Sequence, residues 1–207
     1  TAVPQSFGSP VVFESTEINY TSSTFDSNSN KVIVAYRDQA NSGYGTAVVG
    51  TVSGTSISFG TPVVFTSAST NYTGSTFDTS NNKVVIAYSA DNAARAVVGT
   101  VSGTSISFGS VVGIGTNGGW ITATFDSSNN KVVVAFNNSG GYAAVGTVSG
   151  TTISFGTLVN YEAGRSDYNT AVFDTSNNKV IISYTDDADS AKGKSVVGTV
   201  SGTNISF

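Results

Sequence analysis

The chain says nearly the same thing four times, and a sequence built that way has to fold by stacking copies of one small unit. The string Phe-Asp-(Ser/Thr)-x-x-Asn-Lys-Val occurs at Phe25–Val32, Phe77–Val84, Phe125–Val132 and Phe173–Val180, at steps of 52, 48 and 48 residues. A second string, Gly-Thr-Val-Ser-Gly-Thr-x-Ile-Ser-Phe, ends at Phe59, Phe108, Phe155 and Phe207. The N-terminus supplies the tail of a fifth copy, because Ser6–Phe13 matches Ser58–Phe65. Residues 7–206 then divide into units 7–58, 59–107, 108–154 and 155–206. A repeat of this period cannot bury its apolar faces alone; stacked neighbours bury them for one another.

Each unit reads as β. In the second, Tyr72–Asp78 is a short strand of small residues, and Thr79–Asn82 is turn chemistry, since Asn and Ser bond the local backbone and Asn tolerates positive φ. Lys83–Tyr88 is an apolar, β-branched strand, Ala96–Ser102 a third, and Ser105–Phe108 a fourth beyond the tight Gly103-Thr104 turn. No segment carries a capped helical stripe. Four antiparallel strands in about fifty residues is the make-up of a propeller blade. The expected fold is therefore all-β, a four-bladed β-propeller forming one domain over residues 1–207. A β-solenoid usually has shorter rungs, and sandwich domains need about 100 residues each. The tail match between Phe7 and Phe207 allows two readings. The N-terminal segment is a strand that completes the last blade, or the chain is part of a longer tandem array.

The order Phe-Asp, turn, Asn-Lys-Val-Val-Val-Ala-Tyr, then Ser-Gly-Thr-x-Ile-Ser-Phe-Gly resembles the blades of bacterial and phage-type β-propeller repeat proteins over the whole chain. The last string sits where sialidase-like propellers carry a Ser/Asp-rich turn before an aromatic, but it lacks the Asp, so that likeness is one of position. The resemblance implies the blade architecture. It does not choose among lectins, enzymes, scaffolds and adhesins.

Composition narrows the choice. Only 11% of residues are charged, against about 25% in an average domain, so Ser, Thr, Asn and Gly must supply the polar surface. The net charge of −4 and the scarcity of Lys and Arg argue against nucleic acid. Without Cys there is no disulfide or thiolate site, and without His the commonest general base is missing. No apolar run approaches the ~20 residues of a membrane span. The chain does not begin with Met, which reads as a processed or excised piece of a longer protein. Low charge and Thr/Ser/Asn/Gly richness lean towards an extracellular or surface-displayed protein of bacterial or phage origin.

Residues shared by all four copies are assigned to the blade. Phe25, Phe77, Phe125 and Phe173 are expected between blades. Val32/Val34, Val84/Ile86, Val132/Val134 and Val180/Ile182 form the second-strand core. Gly54, Gly103, Gly150 and Gly202 take positive φ in the third hairpin. Asp26, Asp78, Asp126 and Asp174 invite a calcium reading, but Ca²⁺ needs six to eight oxygens and each Asp is followed only by Ser/Thr and Asn; an Asx-turn is the simpler assignment. No metal or cofactor is expected.

A binding site should lie where the repeats share an aim but differ in detail. Each innermost strand starts with an aromatic five residues before its Phe: Tyr20, Tyr72, Trp120 and Tyr168, preceded by Asn19, Asn71, Gly119 and Asp167. In a closed ring these aromatics surround the channel mouth. The ends and loops after the second strands add Arg37, Asp38, Asp91, Asn137 and Asp186 on the same face. An aromatic face stacks on the C–H face of a sugar while amides and carboxylates bond its hydroxyls. The expected function is non-catalytic binding of a carbohydrate or other polar small ligand at that mouth. The alternative is a structural or adhesive repeat module with no small ligand. The competing role for the aromatics is to plug the channel. Enzyme chemistry is not expected: Arg37 and Arg95 in the ligand-face loops and Arg165 before an inner strand resemble the arginine cluster of sialidases, but no Tyr–Glu nucleophile pair is evident. The one other candidate is a two-carboxylate glycosidase, whose carboxylate separation is spatial.

Overall fold

In each repeat the Phe-Asp string closes one strand and hands the chain to the next. The computed structural model describes residues 7–207; Ser6, the first residue of the tail match, lies with residues 1–5 outside it. The first unit holds β1 (Ile18–Asp26), β2 (Lys31–Asp38), β3 (Tyr44–Ser53) and β4 (Ser56–Phe59). The second holds β5 (Val63–Asp78), β6 (Lys83–Ala90), β7 (Ala93–Ser102) and β8 (Ser105–Phe108). The third has β9 (Val112–Thr116), β10 (Gly119–Asp126), β11 (Lys131–Asn137), β12 (Gly141–Ser149) and β13 (Thr152–Phe155). The fourth has β14 (Val159–Glu162), β15 (Ser166–Asp174), β16 (Lys179–Asp186), β17 (Lys192–Ser201) and β18 (Asn204–Ser206). All pairing is antiparallel and the described residues contain no α-helix, only a 3-10 turn at Asp187–Asp189.

The first hairpin of every unit is built by its aspartate. Asp78 Oδ1 accepts the backbone N–H groups of Ser80 and Asn81 at 2.9 and 3.0 Å, and Asp26, Asp126 and Asp174 bond their own turns in the same way. The Asn before each Lys takes a left-handed φ of 52 to 54° to finish the turn. The Asx-turn expected from the sequence is thus the observed role of all four. Gly54, Gly103, Gly150 and Gly202 turn the third hairpin at φ of 59 to 61°.

The units are stitched together by strands that serve two neighbours. The front half of β5 pairs with β3 from Ala47↔Val63 to Tyr44↔Ser69, and its rear half pairs with β6 from Thr70↔Ala90 to Asp78↔Lys83. Because β5 is continuous, β1 to β9 count as one nine-stranded, strongly curled sheet. In the later units the chain breaks between the halves. β9 pairs with β7 and β14 with β12, while β10 to β13 and β15 to β18 each form a sheet in chain order.

Three apolar clusters lie between successive units. Ile33, Ala35, Ala47 and Val49 of the first face Phe77, Val84, Ile86 and Val97 of the second. Val85, Ala87, Ala96 and Val98 then face Val132, Val134 and Phe136, and Val133, Ala135, Ala143 and Val145 face Val180, Ile182 and Tyr184. The innermost strands touch in sequence, β1 on β5, β5 on β10 and β10 on β15. The architecture is all-β, with open antiparallel sheets. Among the described residues no fourth cluster joins the last unit to the first. Phe25 is therefore 53% exposed where Phe77 is 7%, and Val32 and Val34 are only half-buried although the sequence assigns them to the core. Closure by the N-terminal segment within one chain is likewise not seen in residues 7–207.

Candidate functional site

Tyr20, Tyr72, Trp120 and Tyr168 share one backbone peculiarity. Each sits where its strand carries one residue more than its partner: the pairing passes from Asn19↔Arg37 to Ser22↔Ala35, from Asn71↔Ser89 to Gly74↔Ala87, and likewise in β10 and β15. A bulge of this kind normally puts Gly in the left-handed region, because a Cβ is crowded there. Here the aromatics occupy it, with φ of 52, 48, 46 and 53°. Left-handed backbone costs a non-glycine residue about 1–2 kcal/mol. At these bulges the rings of successive units meet.

The result is a column of four rings. Centroids are 4.9 Å apart from Tyr20 to Tyr72, 4.8 Å from Tyr72 to Trp120 and 4.0 Å from Trp120 to Tyr168, all tilted. The close ring contacts run in a file from Tyr20 to Tyr168; among the described residues none joins Tyr168 back to Tyr20. Tyr20 and Tyr168 are 40% and 65% exposed. A shallow cavity of about 180 Å³ lies along the file, lined by Tyr20, Thr21, Tyr72, Thr73, Trp120, Ile121 and Asn169. Burial first, then the Tyr20 hydroxyl and Asp167, raise the Tyr72 pKa above the ordinary tyrosine value.

Polar groups tie one unit to the next beside the rings. Arg37 donates through Nη1 to Asn71 Oδ1 at 2.6 Å, and Asn137 donates through Nδ2 to Asp167 Oδ1 at 2.8 Å. Arg165 clamps Asp167 through Nε and Nη2, each at 3.0 Å. That hydrogen bond, with the Asp167 charge, holds the guanidinium pKa above its ordinary value. Thr73 Oγ1 donates to the Tyr20 carbonyl, and Thr122 Oγ1 accepts from the Ala171 N–H, which fixes the spacing of the inner strands. Asn19 donates to Glu17 at 3.3 Å.

Of the sequence-expected residues, the four aromatics, Asn71, Asp167, Arg37 and Asn137 are brought into one strip. Asn19 stands at its first-unit end. Asp38, Asp91 and Asp186 serve their own loops. Asp38 accepts the Asn41 N–H at 3.2 Å, Asp91 pairs with Arg95 at 3.5 Å, and the buried Asp186 bonds the Ala188 N–H and Lys194. Lys194 holds the Asp186 carboxyl below the usual carboxylate range. Sequence reasoning missed Thr21, Thr73, Ile121 and Asn169. They are the residues directly after each aromatic, so the same repeat alignment contains them; the bulge, which points two successive residues to one side, is what brings them in. It also left Arg165 out of the site. No protein-family model matches the chain, and no curated protein matches it.

Proposed function

We propose that the four units are blades of a β-propeller-type arrangement whose inner-strand edge binds a carbohydrate or a similarly polar small ligand, without catalysis, on an extracellular or surface-displayed protein. The observation that carries this reading is the set of four aromatics held at positive φ. Strained backbone persists where surrounding structure enforces it, and it concentrates at ligand sites. Gly would satisfy each bulge without strain, yet every repeat keeps a ring there. A ring with one polar tip suits a half-wet surface, and the amides of Asn71, Asn137 and Asn169 beside it can donate to and accept from hydroxyls. The cavity is below the ~300 Å³ of a drug-sized pocket, which suits one sugar ring lying on the file rather than an enclosed molecule.

The chain has one tryptophan, and Trp120 lies in the cavity. Ligands from a glycan array should therefore shift or quench its emission. Tyr72→Ala should weaken binding at least tenfold, about the ~1.4 kcal/mol of one lost stacking contact, while Asp38→Asn leaves it unchanged. Silence across the array together with unchanged Trp120 emission at millimolar sugar would remove the proposal. A role as a repeat module of a larger surface or fibre assembly is favoured by a different observation, the exposed apolar end faces. It is compatible with ligand binding, since linked weak sites gain avidity.

A further inference from the structure

The end faces of the stack are the two unmatched halves of its own internal interface. On the outer face of the first unit, Phe25, Val32, Val34, Val52 and Ile57 stand where Phe77, Val84, Ile86, Val101 and Ile106 stand in the second unit, which receives the first. On the outer face of the fourth, Ile181, Ser183, Ser195 and Val197 take the places of Val133, Ala135, Ala143 and Val145, which are fully buried against the fourth unit. Phe25, Val52, Val172 and Val197 are 53, 55, 59 and 55% exposed. A cavity of about 360 Å³ opens on the first of these faces, lined by Phe13, Ile18 and Val34 together with Thr21, Ser22 and Ser23.

The backbone repeats the pattern. In the first three units, the start of the third strand pairs on its outer side with a segment from the next unit: β3 with β5, β7 with β9, β12 with β14. The corresponding edge of β17, Lys192–Ser195, has only β16 beside it. The segment whose sequence matches those partners is Val11–Glu17, which aligns with Val63–Ser69 and forms no strand. By the register of β3 on β5, Ser195 would meet Val11, Lys194 would meet Val12, and Lys192 would meet Glu17. Glu14 would fall opposite Gly193, between the two lysines. No internal junction brings two lysines against two glutamates.

We propose that this chain docks head to tail on a second copy of itself. The outer face of its first unit lies on the outer face of the other's fourth, and Val11–Glu17 adds as a strand to the other's β17. Strand addition supplies the hydrogen bonds, and the repeated side chains set the register. Such a heterologous contact closes into a ring when the rotation allows and otherwise grows as a filament. Lys192 and Lys194 already pair with Asp189 and Asp186, so the docked edge is a charge network rather than two isolated pairs.

The test is the mass of the 207-residue chain in sedimentation velocity over a wide concentration range. The expected result is species at multiples of 21.1 kDa. Val197→Lys and Phe25→Lys each spoil one half of the contact at an exposed position, and Val52→Lys serves the first-unit face if Phe25→Lys misfolds. Each variant alone should sediment as a monomer, and an equimolar mixture should give a dimer and nothing larger. In this cysteine-free chain, Val11→Cys with Ser195→Cys should give a ladder of disulfide-linked chains on a non-reducing gel. A wild-type monomer at every concentration, a disulfide formed within one chain, or variants that assemble as well as wild type would overturn the proposal. The ligand test reads Trp120 emission and does not depend on assembly, so the two can fail separately.

Discussion

A tyrosine or tryptophan with φ near +50° costs free energy that a glycine would not, and this chain bears that cost four times. The aspartates show the opposite economy. Asp126 is almost wholly buried, yet its Oδ1 accepts from two backbone N–H groups and its Oδ2 from Asn129 Nδ2 at 2.9 Å, which leaves little lone-pair capacity unused. Asp126→Ala would strand those donors, so a loss of about 1–3 kcal/mol is expected. It should read as a lower urea midpoint at unchanged slope, with Asp126→Asn recovering part of it. The Asx-turn role was legible from the string itself, because Ser and Asn two and three residues on are what a carboxylate needs to close a turn. The left-handed aromatics were not legible, since nothing in Asn-Tyr-Thr announces an extra residue in one strand; the bulge exists only relative to the partner strand.

At the scale of the element, equivalent residues have unequal worth because the stack has ends. Phe77 is packed between the first two units, and Phe77→Ala should cost about 3–5 kcal/mol. Phe25 occupies the same place in its strand but is half-exposed, so Phe25→Ala in dilute monomer should cost about 1 kcal/mol or less. Paired denaturation curves check this, and equal losses would mean that both phenylalanines are buried. The first and last units share a buried tyrosine bonded to a glutamate, Tyr36 to Glu14 and Tyr184 to Glu162. Burial first, then the 2.8 Å bond to Glu162 Oε2, push the Tyr184 pKa up to about 12. The folded state favours the neutral phenol, so this contribution is intact below the ordinary value of about 10 and is lost as pH rises from there through 12. Absorbance of tyrosinate followed alongside circular dichroism should show Tyr184→Phe removing part of the alkaline destabilisation. The strands of each unit could be read from β-branched runs and turn residues. The continuous β5 could not, because one strand shared by two units looks in sequence like two strands with a polar stretch between them.

For the whole molecule, three inter-unit clusters supply the apolar burial, and each is a sheet face on a sheet face with small residues meeting large ones. Stability of such a stack is a sum over units and nearest-neighbour interfaces. Covering the exposed end faces would add one more interface of a kind the molecule already makes three times. The ligand strip lies along the inner edge and the proposed docking surfaces lie on the ends. Assembly would therefore lengthen the aromatic file without covering it.

The sequence by itself determined the repeat, the β character, the aspartate turns and which side chains are candidates to stack, because these depend on residues close together in the chain or on faces of period two. The tertiary structure decided how the stack ends. Whether the fourth sheet meets the first depends on the small rotation between successive sheets, summed over three interfaces, and no local pattern of residues encodes that sum. In the structure the close ring contacts run from Tyr20 to Tyr168, and Phe25 and Val197 face solvent on the first and the last unit.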